Sequence, residues 1–183
     1  MMSDSRSEAR MRARRLKLMA FDVDGVLSDG SLFYSDEGIE LKAFNTLDGF
    51  GLKLLAEAGI TVAIITGRRA RCVELRAQNL GIVHLHQAVD DKLAQMRRLL
   101  AELRLDVAEA GYMGDDLPDL PLMRACGFSV TPHDAHPLVR EHAWLTTGRG
   151  GGRGAVREAC EFILEAQGRL QDLIAPYLAP DRR

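Results

Sequence analysis

Asp22 and Asp24 stand two residues apart at the end of an apolar run, in Phe21-Asp22-Val23-Asp24-Gly25-Val26. Side chains i and i+2 of an extended chain point the same way, so both carboxylates face one small volume. Gly25 then permits a sharp turn. Two carboxylates this close repel each other, and a hard cation with oxygen ligands, such as Mg²⁺, relieves the repulsion. A second apolar run ends in Ile64-Ile65-Thr66-Gly67-Arg68, which supplies a hydroxyl, a flexible turn and a cation. Lys92 opens an amphipathic stretch, and a further run ends in Gly114-Asp115-Asp116-Leu117-Pro118-Asp119. Carboxylates for a cation, beside a hydroxyl, a lysine and an arginine suited to phosphate oxygens, are the parts of phosphoryl transfer through an aspartyl-phosphate. Each part alone reads as a turn, a helix cap or a solvated lysine. Their order, each behind a buried run, is what carries the reading.

Apolar runs alternate with amphipathic stretches, the pattern of β-α-β units and a parallel sheet. Strands are predicted at Leu16–Val23, Ile60–Thr66, Ile82–Leu85, Ala110–Gly114, Phe128–Thr131 and near Ala143–Leu145. Helices are predicted at Gly49–Ala58, Arg69–Leu80, Asp90–Leu103, Leu117–Ala125 and Gly154–Leu170. In the third of these, Leu93, Met96, Leu99, Leu100 and Leu103 make one apolar face. The fold class is therefore α/β, a doubly wound parallel sheet. Ser31–Tyr34 and Ile39–Phe44 flank Ser-Asp-Glu-Gly and read as a β-hairpin inserted after the first strand. Ligands of such sheets bind beyond the carboxyl ends of the strands, where the chemistry-bearing residues fall.

The chain has 183 residues, 46% of them apolar and 27% charged, with a formal charge of −2. That describes one globular domain and argues against nucleic-acid binding. Residues 1–15 read as a flexible extension, 16–170 as the domain with its hairpin at about 30–44, and 171–183 as a tail. No apolar run approaches a membrane span or the core of a signal peptide. Cys72, Cys126 and Cys160 form no CxxC pair and read as reduced thiols in the cytoplasm. Only four of the 24 basic residues are lysines, Lys17, Lys42, Lys53 and Lys92. A lysine in a suggestive place therefore carries extra weight.

DxDGV, ITGR, a lysine and GDDxxD, in this order, resemble the four motifs of the haloacid dehalogenase superfamily of phosphotransferases. The resemblance implies that Asp22 is the nucleophile, Asp24 the general acid/base, Thr66 a phosphoryl ligand and Lys92 the counter-charge. It implies Mg²⁺ held by Asp22, the backbone carbonyl of Asp24 and Asp115, with Asp119 behind them. An Asp at the acid/base position resembles the phosphatases and mutases and not the transport ATPases. Neither gap between motifs can hold a cap domain, so the site is open or is closed by a neighbouring subunit.

Over nearly the whole chain, DVDGVLSDG, ELKAFN-x-x-DG-x-G, AIITGR, GDDLPD, DAHPLV and GGRGAVREAC-x-FIL-x-AQG are similar to the 3-deoxy-D-manno-octulosonate 8-phosphate (KDO 8-phosphate) phosphatase family. That resemblance implies hydrolysis of KDO 8-phosphate in lipopolysaccharide biosynthesis, in the cytoplasm of a Gram-negative bacterium. It implies a homotetramer whose hairpins assemble into a central barrel. It places substrate contacts at Asp24, Asn45, Thr46, Leu47, Asp48, Gly49, Lys53, Arg68, Arg76 and Lys92. At 47 the family usually carries a basic residue, and Leu47 leaves Lys53 and Arg76 as donors for a sugar carboxylate.

Other readings compete. Gly150-Gly-Gly152-Arg-Gly154-Ala155 fits GxGxxA, but no βαβ unit or ribose-binding acid follows it. A receiver domain also keeps acids, Thr and Lys at strand ends, yet lacks an Asp two residues after its phospho-acceptor. A non-catalytic regulatory module would not need the intact motif set. Among enzymes, a phosphatase for a nine-carbon sialic-acid-type sugar phosphate is the alternative.

Overall fold

The computed structural model describes residues 2–178. Six strands form one parallel sheet: β1 (Leu18–Phe21), β4 (Thr61–Ile65), β5 (His84–His86), β6 (Ala110–Met113), β7 (Phe128–Thr131) and β8 (Leu145–Thr146). Their order across the sheet is β5-β4-β1-β6-β7-β8. The chain moves outward from β1 through β4 to β5, then returns to β6 on the other side of β1. The reversal opens a crevice beyond the ends of β1 and β6.

Side chains alternate between two apolar layers. Met19 and Phe21 of β1 and Val62 and Ile64 of β4 belong to one, Leu18, Ala20, Ala63 and Ile65 to the other. Against the first layer lie α2 (Thr46–Glu57), α3 (Arg71–Leu80) and α7 (Ala155–Ala166). Against the second lie α4 (Lys92–Leu103), α5 (Leu120–Ala125) and α6 (Pro137–His142). The doubly wound sheet expected from the sequence is present, with helices on both faces.

Phe33–Tyr34 (β2) and Glu40–Leu41 (β3) pair antiparallel as the expected hairpin. Each strand is only two residues long. Leu32, Phe33, Tyr34, Ile39 and Leu41 are all exposed on it.

Three local departures have physical causes. Met2–Ala13 is a helix (α1) and not a flexible extension. Its buried face is made of Ala9 and Ala13, so it carries no apolar stripe for the sequence to reveal. Arginine guanidinium groups do the remaining covering, with Arg6 and Arg10 over the Phe162 ring and Arg12 over Trp144. Arg14 donates to Ala166 O at 3.0 Å and ties the helix to α7. The last predicted helix breaks after Ala166, with Gly168 at φ +69°, and resumes as α8 (Leu170–Leu178). Residues 171–178 of the expected tail are thus helical, and residues 179–183 lie outside the described residues. The short α6 is absent from the predicted helices, although Asp-Ala-His-Pro offers His136 as a helix cap. His136 caps it by accepting from Leu138 N at 3.2 Å.

Candidate active site

Asp22 ends β1 with its backbone N–H donated to Met113 O of β6. Val23–Leu27 then make one wide turn closed by Ser28 N on Val23 O at 2.9 Å. Within it Gly25 has φ +81°, and a Cβ there would fall on the Asp115 carboxylate. Glycine is required for both reasons. The glycine-rich segment braces this turn from outside: Gly152 N donates to Val26 O at 2.8 Å, and a Cβ on Gly151 would meet Gly25 O. The glycines permit backbone-to-backbone approach, and no nucleotide motif is needed to explain them.

The strand ends converge on one cleft of about 350 Å³. Asp22, Asp24, Thr66, Arg68, Lys92, Asp115 and Asp119 line it. Thr66 follows β4, and its backbone is held by His86 O and Val89 N. Lys92 is the first residue of α4, behind the Asp91 cap, and its Nζ lies 2.6 Å from both Asp22 Oδ2 and Asp119 Oδ1. Burial opposes the Lys92 charge, but Asp22 and Asp119 outweigh it and hold the ammonium above its ordinary range. The second Asp22 oxygen accepts from Val23 N at 2.6 Å.

Asp119 is the hub beneath the cleft. Its Oδ1 takes Lys92 and the buried Tyr112 hydroxyl (2.8 Å), while Oδ2 takes the N–H groups of Asp115 (3.0 Å) and Asp116 (3.2 Å). Carboxylate oxygens of Asp22, Asp115 and Asp119 lie within 4.8 Å of one another. Burial, then the Asp119 and Asp22 charges, push the Asp115 carboxyl up to about 8. Burial and Asp119 likewise raise Asp22. Such a set has more negative charge than Lys92 balances, and hard oxygen donors suit Mg²⁺. With all four hydrogen bonds in place, Asp119 is better used supporting the cation's ligands than as one of them.

Asp24, Arg68 and Lys92 are the only predicted substrate contacts, among the described residues, that line the cleft of their own chain. Asn45 caps α2 and donates through Nδ2 to Gly152 O at 3.3 Å. Arg76 donates to Asn45 O at 3.0 Å and occupies the space where a Cβ on Gly49 would stand. Thr46, Leu47 and Lys53 lie on α2 outside the cleft, with Leu47 and Lys53 exposed. Asp48 turns inward at 1% exposure and accepts from Gly154 N (3.2 Å) and Arg157 N (2.8 Å). It caps α7. Asp48→Ala is expected to cost about 2 kcal/mol in denaturant unfolding with the substrate KM unchanged. A raised KM at unaltered stability would instead assign Asp48 to substrate binding.

Sequence reasoning missed three residues here: Tyr112, Glu40 and Lys42. Lys42 Nζ contacts Asp24 Oδ1 and lies 2.8 Å from Glu40 Oε1. Burial opposes its charge, but its bonds to Asp24 and Glu40 hold it above the ordinary range. Arg68 reaches Glu40 Oε2 and Tyr34 Oη, both at 2.8 Å. The signal available was the scarcity of lysine together with the i, i+2 spacing of Glu40 and Lys42.

No family model matches the chain. It is 50% identical over 160 residues to the 3-deoxy-D-manno-octulosonate 8-phosphate phosphatase KdsC of Yersinia pestis, covering 87% of this chain and 86% of the relative. The chain belongs to the KDO 8-phosphate phosphatase family. A solved KDO 8-phosphate phosphatase of Moraxella catarrhalis, in complex with magnesium, phosphate and KDO, superposes with a TM-score of 0.92 at 44% identity. That match covers 93% of this chain and 98% of the other. A probable YrbI family phosphatase of Pseudomonas syringae superposes with a TM-score of 0.93 at 49% identity, covering 94% of this chain and 98% of that one. No described helix is long and apolar enough to cross a membrane.

Proposed function

We propose that the chain hydrolyses KDO 8-phosphate to KDO and inorganic phosphate, with Mg²⁺ as cofactor, in lipopolysaccharide biosynthesis. The observation that carries this is the convergence of Asp22, Asp24, Thr66, Lys92 and Asp115 at one crevice of a KDO 8-phosphate phosphatase family member.

Asp22 is the nucleophile. Its carboxylate attacks phosphorus and becomes an aspartyl-phosphate, oriented by Val23 N on one oxygen and Lys92 on the other. Lys92 balances the charge of nucleophile and phosphoryl group, and Thr66 binds a phosphoryl oxygen. Asp24 protonates the departing sugar hydroxyl and then takes a proton from the water that hydrolyses the aspartyl-phosphate. Asp22, the Asp24 backbone carbonyl and Asp115 would hold Mg²⁺, with Asp119 fixing the Asp115 backbone. When bound, Mg²⁺ supplies charge stabilisation for the transferring phosphoryl group.

Asn45, Thr46, Leu47, Lys53 and Arg76 do not line the cleft of their own chain. Their contacts to the sugar are assigned within a homotetramer, where one subunit completes another's site. The exposed apolar hairpin supports that assembly, since faces of this kind are normally covered. The cytoplasm is the compartment that fits this substrate and three free cysteines.

The test is phosphate release from KDO 8-phosphate and a panel of sugar phosphates, with light scattering of the same sample. A strong preference for KDO 8-phosphate in a tetrameric peak is expected. Preference for a nine-carbon sialic-acid-type phosphate would overturn the substrate assignment and direct attention to Leu47. A monomeric active peak would remove the shared site.

A further inference from the structure

The hairpin brings a buried charge cluster to the acid/base residue. Lys42 follows β3, and only 1% of its side chain is exposed. Its ammonium sits between Asp24 Oδ1 and Glu40 Oε1. Ser28 Oγ adds a long contact to the same Asp24 oxygen at 3.4 Å. The other oxygen, Oδ2, is buried and has no hydrogen-bond partner among the described residues. Arg68 Nε stands 3.5 Å from it, at the limit of a hydrogen bond. The two oxygens of one carboxylate are therefore unequal: Oδ1 is held closely by the Lys42 ammonium, and Oδ2 has only the longer ion pair with Arg68. A buried carboxylate oxygen without a close donor is costly, and one on a residue that lines the cleft is placed to gain a partner there.

The choice of side chain fits this. Lysine is scarce in the chain, yet Lys42 and Lys92 are each buried between two carboxylates at this one site. A compact ammonium with rotatable donors fits between two acids, where a planar guanidinium would impose its own fork. Glu40 takes Lys42 on one oxygen and Arg68 on the other, so the hairpin fixes both cations that approach Asp24.

We propose that Lys42 is a positioning residue for proton transfer: it holds Oδ1 of Asp24, so that Oδ2 is the oxygen that carries the proton. The inference rests on the reading of Asp24 as the general acid/base. In the first half-reaction an Asp22 oxygen bonds to phosphorus, the bond from phosphorus to the sugar oxygen breaks, and the proton on Oδ2 passes to that oxygen. In the second, water oxygen bonds to phosphorus, the bond to Asp22 breaks, and Oδ2 takes a proton from the water. Phosphate leaves, and the protonated Asp24 is restored.

Wild type, Lys42→Met and Asp24→Asn are compared at saturating Mg²⁺ on KDO 8-phosphate and on p-nitrophenyl phosphate. The p-nitrophenolate group departs without a proton, so its first half-reaction needs no acid. Lys42→Met is expected to lower kcat on KDO 8-phosphate by roughly 10–100-fold with KM within about twofold, less than the roughly 10²–10⁴-fold that the acid/base group itself contributes. On p-nitrophenyl phosphate, rapid quenching is expected to show a burst of p-nitrophenol near the wild-type rate, followed by slowed turnover, because the second half-reaction still needs Oδ2. Asp24→Asn is expected to show the same pattern more deeply. Wild-type turnover by Asp24→Asn would overturn the acid/base reading itself. Loss in Asp24→Asn with none in Lys42→Met would overturn the positioning role alone. A Lys42→Met effect confined to KM, or loss of the burst together with turnover, would also overturn it. Removing the ammonium leaves Asp24 facing Glu40, so if Lys42→Met does not fold, the Lys42→Met/Glu40→Gln double variant must give the same pattern.

Discussion

Asp22→Asn is expected to abolish phosphate release from KDO 8-phosphate, by at least about 10⁴-fold, while leaving the fold intact. An amide is a poor nucleophile toward phosphorus and cannot form the acyl phosphate. The geometry around position 22 survives the change, since the amide oxygen can still accept from Val23 N and Lys92 keeps its bond to Asp119. Stability is not expected to fall. Burial and the Asp119 charge raise the Asp22 carboxyl, so a negative charge there costs the folded chain more than the unfolded one. A neutral isostere relieves repulsion from Asp119 and Asp115 and forfeits one bond to Lys92. Calorimetry is expected to give a Tm within a few degrees of wild type. Turnover above a trace in a clean preparation would overturn the covalent mechanism, whereas a collapsed Tm would show that Asp22 is needed for folding as well.

Removing Mg²⁺ is expected to have an effect of similar size on activity and a pH-dependent effect on stability. In the metal-free chain the Asp115 carboxyl titrates at about 8 against 3.8 when unfolded. Between those values the folded chain holds a proton that the unfolded chain has released. The contribution of Asp115 to stability is therefore fully present below about pH 4 and is lost as pH rises toward 8. Mg²⁺ competes with that proton. Its apparent affinity is expected to weaken by up to about tenfold for each pH unit below 8, and the rise in Tm on adding Mg²⁺ to be larger at pH 8 than at pH 6. Melting curves with and without Mg²⁺ across that window test this, and a pH-independent rise would contradict the site as drawn. Turnover that persists in EDTA would do so more directly.

Asp22, Thr66 and Asp115, the candidate catalytic and metal-binding residues at three strand ends, were legible because each follows a buried run. Leu18–Phe21, Thr61–Ile65 and Ala110–Met113 are apolar on both faces, as parallel strands must be, and the polar residues just beyond them have to face the crevice. Helix α1 was not legible, because alanines and arginine guanidinium groups make its inner face and no periodic apolar stripe exists to be read. Lys42 was half legible. Its rarity drew attention, but a strand of two residues gives no alternation long enough to say which way the next side chain turns. Asp48 stands among the expected substrate contacts through the family resemblance alone, and the packing of α2 against α7, which no local pattern reveals, turns it to the Gly154 and Arg157 amides.

The glycine contact with the first turn has a consequence in time. Chains are made from the N-terminus forward, so Asp22 and Asp24 are translated before the other segments that line the cleft. Yet the turn that carries them rests on Gly151 and Gly152, which emerge only after β8. A nascent chain halted at residue 149 already contains Asp22, Asp24, Thr66, Lys92, Asp115 and Asp119. It lacks the backbone against which the first two are aligned. The reactive groups are therefore all present in the growing chain before the backbone segment that braces the first two of them.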